Sequence, residues 1–302
     1  MRASPPGPSR WPAGIAEVED GLRGQGYLPD EALATVLFVS CDLGRPLLLE
    51  GEAGVGKTEV AKALAAAAGT VLYRLQCYEG IDVSQALYDW DFRRQILYLR
   101  SVEDTAIKTS QAELFDPAFL VERPIMKALR HDGPRPAVLL LDEIDRADEA
   151  FEAFLLEVLS DYQVTVPELG TISARQRPWV IITSNRTREL HDATKRRCLY
   201  HWIDWPTLER EVAIVLARVP HAPAVLAEQV TRAVQRLRRM DLYKSPGIAE
   251  TLDWVETVLS LGEGKLDVEL ARRSLGAVLK NEQDYKRLVS SDVSTLIADG
   301  VV

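Results

Sequence analysis

The sequence has few of the side chains that build small metal sites, with three cysteines and four histidines in 302 residues. Cys41, Cys77 and Cys198 stand far apart and show no paired spacing, so neither a zinc framework nor a structural metal is predicted. Scattered cysteines of this kind are typical of a reducing compartment. We therefore expect a cytoplasmic protein.

Long apolar runs are missing as well. The longest ones, such as residues 61–72, are interrupted and fall short of the roughly 20 apolar residues that span a bilayer. No membrane span is therefore expected. Residues 1–14 hold two arginines and four prolines with no apolar block behind them, which argues against a secretory signal. We expect a flexible leader that extends to residue 20.

An excess of positive charge is also absent. The chain has 36 lysines and arginines against 45 aspartates and glutamates, which gives a net charge of −9. Proteins that bind nucleic acid neutralise phosphates with a basic surface, so DNA is disfavoured as the main ligand and so is a DNA-directed motor. With 47% hydrophobic and 27% charged residues, the composition is that of a globular chain, and the length suits two domains.

The first predicted domain is of the α/β class. Short apolar runs alternate with glycine turns and helix-period segments from Pro46 to about Asp204, which is typical of a parallel sheet covered by helices. Strands are expected at residues 46–50, 71–77, 137–141 and 179–183, helices at 57–68 and 151–159, and a projecting hairpin at 163–174. Helical spacing then takes over, so an all-helical domain at 205–302 is predicted to follow an α/β domain at 21–204.

The sequence GEAGVGKT follows a predicted buried strand and opens a predicted helix. It has the P-loop pattern, in which glycines let main-chain N–H groups approach phosphates, the lysine bridges the terminal phosphates and the threonine hydroxyl binds Mg²⁺. An accidental glycine turn is the alternative, and the strand–helix context disfavours it. The expected nucleotide-binding residues are Gly51, Glu52, Ala53, Gly54, Val55, Gly56, Lys57, Thr58 and Glu59, and Lys57 is also expected to act in catalysis.

Acidic residues at the end of the third predicted strand are candidates to bind the Mg²⁺ that accompanies the phosphates at the P-loop. In VLLLDE at residues 138–143, Asp142 is the expected Mg²⁺ partner together with Thr58. Glu143 is placed to act as a base toward a water molecule. The alternative is that both acids merely cap the following helix. The upstream P-loop favours the metal and base roles.

Two further polar positions complete the predicted hydrolysis site. Asn185 ends the fourth apolar run, where a neutral amide can hold the attacking water, although a turn asparagine would also end a strand. Three cations follow at residues 195–197, and a guanidinium suits the charge that develops on a transferred phosphoryl group. Such a guanidinium is called an arginine finger. Arg197 is the preferred candidate, Arg196 is the second choice, and Lys195 is interpreted as a solvated surface residue.

The ordered set GEAGVGKT, LLLDEID, ITSNRTREL and RRC resembles the AAA+ ATPases over about residues 25–260. The sequence around these motifs resembles the MoxR branch. Two segments are similar to CoxD-like members found beside carbon monoxide dehydrogenase and related molybdenum enzymes. They are Tyr78 to Arg100, which contains GIDVSQALYDWDFRRQILYLR, and EVLSDYQVTVPELGTI at 157–172.

This resemblance implies an ATPase that uses ATP and Mg²⁺, with a P-loop α/β domain, a helical lid and an insertion at about residues 80–118. It also implies that Gly26, Tyr27 and Leu28 line the adenine pocket. In the family the arginine finger acts on the neighbouring subunit's nucleotide, so a homo-oligomeric ring, often a hexamer, is implied. A client metalloenzyme that receives its metal cofactor, and a partner with a von Willebrand factor A domain, are the other implied partners.

One position departs from the family pattern. Many relatives have an arginine at the start of the third lid helix, whereas Ser245-Pro246-Gly247 places a glycine there. Either another side chain of the lid contacts the nucleotide, with Lys244 as the nearest candidate, or the lid does not sense the terminal phosphate of the nucleotide directly.

Two functions of different classes are compatible with these motifs. The first is an ATP-hydrolysing ring that remodels a client protein, and the second is a nucleotide-controlled scaffold that assembles but scarcely hydrolyses. The presence of Glu143 argues against the scaffold. The apolar positions of the insertion fit either a partner-facing stripe or its buried side, and we expect the buried side. They are Leu87, Trp90, Phe92, Ile96 and Leu99.

Overall fold

The structure is a computed structural model that describes residues 11–103, 115–167, 169–290 and 293–297. It contains two compact units. The first comprises the chain up to Gln25, Pro29–Glu50 and Lys57–Trp202. The second comprises Gly26–Leu28, Gly51–Gly56 and the chain from Ile203 onward. Two short segments from the amino-terminal half thus belong to the second unit, which no periodicity in the sequence indicates.

A five-stranded parallel sheet is the centre of the first unit. The strands of this unit are β1 (Leu47–Glu50), β2 (Leu72–Gln76), β3 (Tyr88–Trp90), β4 (Leu120–Glu122), β5 (Val138–Asp142), β6 (Gln163–Val166), β7 (Gly170–Ser173), β8 (Trp179–Ser184) and β9 (Leu199–Trp202). The sheet order is β2-β5-β8-β1-β9, and all its neighbours pair in parallel. Every residue of β1, β5 and β8 is buried, as expected when both faces of a parallel sheet are covered. The predicted α/β fold class is confirmed.

The sequence does not predict β9. Its residues Leu-Tyr-His-Trp form no apolar run, and the strand exists because it pairs with β1 at the edge of the sheet. The strands β6 and β7 form a separate antiparallel hairpin where the turn residues around Pro167 indicate one.

Eight α-helices in the described part of the first unit flank these strands. They are α1 (Ile15–Gly24), α2 (Glu31–Leu43), α3 (Lys57–Ala68), α4 (Val83–Ala86), α5 (Phe92–Glu103), α6 (Pro124–Leu129), α7 (Glu149–Asp161) and α8 (Asp192–Arg197). Local signals set several of their ends. Asp30 and Asp148 accept hydrogen bonds from main-chain N–H groups three residues on, at 2.7 and 2.8 Å, and Gly44 ends α2 with a φ of 61°.

The expected flexible leader is wrong from Ile15 onward, because helix α1 begins there. Val18 and Leu22 lie four positions apart on one face of α1 and are fully buried. A Cβ atom at Gly21 would lie 3.1 Å from the Cβ of Ala67, so α1 packs closely on α3. Residues 1–10 of the predicted leader lie outside the described residues.

The predicted insertion at about residues 80–118 contains α4, β3 and α5, and β3 pairs antiparallel with β4 just after it. Residues 104–114 of the insertion lie outside the described part of the chain. Leu87 is buried as expected, but Phe92 is 61% exposed and Ile96 is 52% exposed. The expectation of a buried stripe is therefore wrong for these two residues, because helical spacing does not decide which side of a helix meets a core.

The second unit is helical outside its two loop segments. Its helices are α9 (Leu208–Arg218), α10 (Ala224–Arg238), α11 (Ile248–Ser260), α12 (Val268–Val278), α13 (Glu282–Ser290) and α14 (Ser294–Ile297). They enclose a second apolar core around the fully buried Trp254, whose indole N–H donates to Ser274 Oγ at 2.7 Å. The predicted all-helical character is confirmed. Across the described ranges, no helix is both long and apolar enough to cross a bilayer.

Candidate functional site

Polar side chains of the first unit meet at the carboxyl ends of β5 and β8. Asp142, the last residue of β5, is 2% exposed. Its Oδ1 accepts hydrogen bonds from the hydroxyl groups of Thr58 at 2.9 Å and Thr183 at 2.6 Å. The two residues predicted to hold Mg²⁺, Thr58 and Asp142, are therefore in contact although they are 84 positions apart in the sequence.

Arg74 on β2 holds the other oxygen of the same carboxylate. Its Nε and a terminal nitrogen donate to Asp142 Oδ2 at 3.0 and 2.6 Å. The side chain of Arg74 is 48% exposed, whereas that of Asp142 is 3% exposed. Sequence reasoning missed Arg74. Arg74 lies on β2, the strand that pairs with the acid-bearing strand β5. A basic residue on a predicted neighbouring strand is the sequence signal that would have indicated it.

The residue after Asp142 adopts an unusual backbone conformation. Glu143 has a φ of 56° and a ψ of 52°, in the left-handed region that costs a side-chain-bearing residue about 1–2 kcal/mol. Its main-chain N–H donates to Thr183 Oγ1 at 2.9 Å, so one threonine hydroxyl orders both acidic residues. Such strained residues persist where the surroundings fix them, and they concentrate at functional sites.

The carboxylate of Glu143 contacts three side chains. Asn185 Nδ2 donates to Oε1 at 3.3 Å, and Gln76 Nε2 donates to Oε2 at 3.1 Å. Arg146 Nε lies 3.3 Å from the same Oε2. The predicted base and the predicted water-holding amide are thus in contact. Gln76, at the end of β2, is a further residue that the sequence alone did not indicate.

The loop after β8 is fixed by a buried acid. Asp145 is 3% exposed, and its carboxylate accepts hydrogen bonds from the main-chain N–H groups of Asn185 at 3.2 Å and Thr187 at 2.9 Å. The hydroxyl of Thr187 adds a third bond at 2.7 Å. Asp145 therefore sets the main-chain position of Asn185, another contribution that motif reading missed.

The first residues of α3 differ in their surroundings. Lys57 is 6% exposed, an unusual burial for a lysine. Glu59, which was predicted to bind nucleotide, pairs with Lys62 at 2.5 Å on an exposed part of the helix. The structure thus gives the side chain of Glu59 a partner on its own helix.

In the second unit, the P-loop turn is held by main-chain contacts. Gly54 has a φ of 88°, a conformation that suits glycine, and its carbonyl accepts a hydrogen bond from Ile248 N–H at 3.0 Å. A Cβ atom at Gly51 would lie 2.4 Å from the carbonyl oxygen of Ile203, so glycine is required there too. Of the other turn residues, Val55 is buried, whereas Glu52 and Ala53 are exposed.

The glycine that departs from the family pattern meets this turn. A Cβ atom at Gly247 would lie 2.8 Å from Gly54 Cα and 2.9 Å from Glu250 Oε2. An arginine therefore has no room at this position. Lys244, the nearest candidate replacement, is exposed, and its main-chain N–H donates to Asp284 Oδ2 at 3.0 Å.

The segment expected to line the adenine pocket lies in the same unit as the P-loop turn. The Tyr27 ring comes within 3.9 Å of the place where a Cβ atom at Gly56 would stand. The carbonyl oxygen of Leu28 accepts a hydrogen bond from Arg210 at 2.9 Å. At Gly26, φ is 72° and the Arg218 side chain lies 3.4 Å from the Cβ position. The three residues are thus ordered beside the turn.

Helix α8 carries the candidate finger residues. Arg196 and Arg197 are both exposed, and neither guanidinium forms an ion pair within the part of the chain that the structure describes. A terminal nitrogen of Arg45 lies 3.2 and 3.3 Å from their carbonyl oxygens, which satisfies the end of the helix. Lys195 approaches a surface glutamate at 3.9 Å. Both arginines therefore have free guanidinium groups at the surface.

A cysteine next to the acidic edge has no nucleophilic role at neutral pH. Cys77 follows β2, and its N–H donates to the carbonyl oxygen of Asp142 at 2.8 Å. Burial, together with the charges of Asp142, Asp145 and Glu143, raises the pKa of the Cys77 thiol to about 12. The thiol therefore stays protonated and unreactive.

A parallel sheet with a glycine-rich loop after β1 and an acid at the end of β5 defines the class of P-loop ATPases. Over residues 46–198, half of the chain, the sequence matches the AAA domain family of the dynein-related subfamily. The chain belongs to this family and is an ATP-hydrolysing enzyme. The family match does not specify the MoxR branch, which stays a prediction.

Three similar proteins share between 14% and 24% sequence identity with this chain. The chain is 24% identical over 249 residues to the uncharacterized protein SH1500 of Staphylococcus haemolyticus, covering 80% of this chain and 86% of that protein. It is 14% identical to the RuvB Holliday junction branch migration motor of Thermotoga maritima, covering 88% and 71% of the two chains at a TM-score of 0.46. It is 16% identical to a candidate ATPase of Cytophaga hutchinsonii, covering 92% of this chain and 85% of that chain at a TM-score of 0.49. Since both TM-scores lie below 0.5, the fold assignment rests on the family match and the strand order.

Proposed function

We propose that this chain is a Mg²⁺-dependent ATPase of the MoxR type, which works as a homo-oligomeric ring and remodels a client metalloenzyme during insertion or activation of its metal cofactor. The observation that carries the catalytic part is the cluster of Thr58, Asp142, Glu143 and Asn185 at one edge of the sheet, with contacts of 2.9 and 3.3 Å. The client and the branch are supported by the resemblance of residues 78–100 and 157–172.

The residues present fit Mg²⁺. The candidate ligands, Thr58 and Asp142, offer oxygen atoms, and Mg²⁺ is commonly held by one or two protein oxygens together with substrate phosphates. No group of three or more acidic, histidine or cysteine side chains that could enclose a metal is found in the described residues, which is in keeping with so small a ligand set. When bound, Mg²⁺ would neutralise charge between the phosphates.

Residues of the chain bind the phosphates, accept the proton and position the water. The ammonium group of Lys57 and the N–H groups of the preceding turn bind phosphate oxygens. Glu143 accepts a proton from the attacking water, and the amide of Asn185 holds that water. Gln76 and Arg146 contact Oε2 of Glu143 and so orient the carboxylate. Its Oε1 accepts one hydrogen bond, from Asn185, and so has a lone pair left for a proton of the water.

The ring is supported by the exposure of α8. An exposed Arg197, with Arg196 beside it, is available to complete the site of a neighbouring copy. A partner with a von Willebrand factor A domain is proposed from the resemblance only. The client role is tested by comparing the metal-cofactor occupancy of a candidate client metalloenzyme after incubation with the parent protein or with the Glu143→Gln variant.

Glu143→Gln decides between hydrolysis and scaffolding. We expect ATP turnover with Mg²⁺ to fall at least about 100-fold while nucleotide binding is retained, since a general base contributes about that much. Glu149→Gln, at a 79% exposed acid on α7, is the matched control and leaves turnover unchanged. Equal turnover in Glu143→Gln and the parent would show that this residue is not the base.

Mixed oligomers test the finger. Glu143→Gln and Arg197→Ala are each expected to be inactive alone. Mixed in equal amounts, they should regain activity at about a quarter of the sites, where an intact Glu143 faces a neighbour's intact Arg197. Native mass spectrometry with ATP and Mg²⁺ gives the subunit number. No recovery in a mixture that demonstrably co-assembles would exclude Arg197 as a finger acting between copies, and the same mixture with Arg196→Ala then tests the second choice.

A further inference from the structure

Helices α9 and α10 of the second unit share a buried ion pair. Glu211 on α9 is fully buried, and Arg238 at the end of α10 is 8% exposed. The two terminal nitrogens of Arg238 donate to the two carboxylate oxygens of Glu211 at 2.7 Å each. Because taking both charges out of water costs several kcal/mol, a pair of this kind is often no more stabilising than apolar side chains of the same size. Its presence calls for a reason other than stability.

The third nitrogen of the guanidinium reaches the turn before α11. Arg238 Nε donates to the carbonyl oxygen of Pro246 at 2.8 Å. On the other side of the pair, Glu211 Oε1 accepts a bond from Thr251 Oγ1 at 2.9 Å, and that hydroxyl lies 3.2 Å from the carbonyl oxygen of Gly247. The ion pair thus bonds directly to the Pro246 carbonyl, and through Glu211 it fixes the side chain of Thr251, which lies against Gly247.

This turn contacts the main chain of the P-loop. Gly247 and Gly54 approach so closely that a Cβ atom on either would lie within 2.8 Å of the other's Cα. The N–H of Ile248 donates to the Gly54 carbonyl at 3.0 Å. The Arg238 guanidinium also lies 4.1 Å from the centre of the Trp205 ring, and that ring reaches within 3.8 Å of the Cβ position at Gly54. Arg238 therefore contacts two of the groups that confine Gly54.

We propose that Arg238 is a positioning residue of the nucleotide site, which holds the Pro246–Gly247 turn against Gly54 and so fixes the P-loop conformation that binds the phosphates. This inference rests on the proposed function, since Gly54 serves the chemistry only if the loop binds a nucleotide. The helical unit then acts on the phosphates through the main chain of the loop.

The first test is the dissociation constant of a fluorescent ADP analogue from the full chain. Arg238→Lys keeps the charge but loses the fork and the bond to Pro246. We expect it to weaken binding about tenfold, as for the loss of a hydrogen bond from a charged group. Arg232→Lys is the matched control, because Arg232 lies on the same helix in an exposed pair with Glu228, and its affinity should equal that of the parent. Unchanged affinity in folded Arg238→Lys overturns the proposal.

A double variant separates positioning from stability. Glu211→Leu combined with Arg238→Met removes both buried charges and keeps the core filled, so thermal unfolding should return close to that of the parent. Because no side chain then bonds to Pro246, affinity should stay about tenfold weaker. Affinity that recovers together with stability would mean that the pair has only a structural role.

Binding of the ADP analogue to the parent protein and to Lys57→Ala separates a failure of this proposal from a failure of the proposed function. A parent that does not bind the ADP analogue refutes the proposed function itself. A parent that binds, a Lys57→Ala variant that does not, and an Arg238→Lys variant that binds like the parent refute the positioning role alone.

Discussion

Each unit pairs a carboxylate with an arginine, and the two pairs differ in their exposure. In the first unit Arg74, 48% exposed, meets Asp142 at the edge of the sheet. In the second unit Arg238, 8% exposed, meets Glu211, which is fully buried. Water and salt screen an ion pair with an exposed partner, so it contributes little to folding. Breaking the buried pair leaves an uncompensated charge. In the first pair only the arginine is therefore open to solvent, whereas both partners of the second pair are enclosed by protein.

The two units also differ in the kind of group that surrounds their motif residues. The first unit presents side chains at strand ends, where hydroxyl, amide and guanidinium groups fix Asp142 and Glu143. The second unit presents main chain, in a turn where Gly54 and Gly247 leave no space for side chains. Substitutions in the first unit should thus change chemistry, and substitutions in the second should change stability and affinity.

The largest effect on stability is expected from Glu211→Ala. Removing one partner of the buried pair leaves the Arg238 charge unpaired, which should lower the free energy of unfolding by about 3–5 kcal/mol. Urea unfolding followed by tryptophan fluorescence measures the change, since Trp254 is in the core of the same unit. Glu228→Ala, at an exposed pair on α10, should lie within about 0.5 kcal/mol of the parent. Similar losses in both variants would remove the distinction between the pairs.

An intermediate effect is expected from Gly247→Ala. The added methyl group meets Gly54 Cα at 2.8 Å, and the overpacking should destabilise the protein by about 1–3 kcal/mol and weaken nucleotide binding. Gly276→Ala is the control, because Gly276 lies within α12 with nothing within 4 Å of its Cβ position. That variant should gain up to about 1 kcal/mol, since alanine favours a helix interior. A tolerated Gly247→Ala with unchanged affinity would argue against a tight contact at the P-loop.

The smallest effect on stability is expected from Arg74→Gln. Arg74 is half exposed, and Asp142 keeps the hydrogen bonds from Thr58 and Thr183, so the free energy of unfolding should change by less than about 1 kcal/mol. The Mg²⁺ concentration for half-maximal ATP turnover should nevertheless rise, because Asp142 loses the fork that orients it. Arg175→Gln, at an exposed pair with Asp132, should change neither quantity. A large stability loss without a change in Mg²⁺ dependence would reverse the roles assigned to the two pairs.

Much of the catalytic edge is predictable from local sequence. A buried apolar run ending in Asp142 and Glu143, and another ending near Asn185, place these residues at strand ends, and parallel strands bring such ends to one edge. The partners Arg74, Gln76 and Thr183 were not predicted, since they matter only through strand neighbours that no short motif specifies. Phe92 shows the same limit, because helical spacing fixes a face but not whether that face is covered.

The sequence by itself determined the alternation of strands and helices, the P-loop pattern and the positions of the acidic and amide groups, because each depends on residues within a few positions of one another. Only the tertiary structure decided which groups meet. Thr58 bonds to Asp142 across 84 positions, and Gly247 excludes any side chain because the P-loop backbone occupies the space where one would be. Contacts of this kind arise from packing and hydrogen bonding between distant segments, and no local periodicity encodes them.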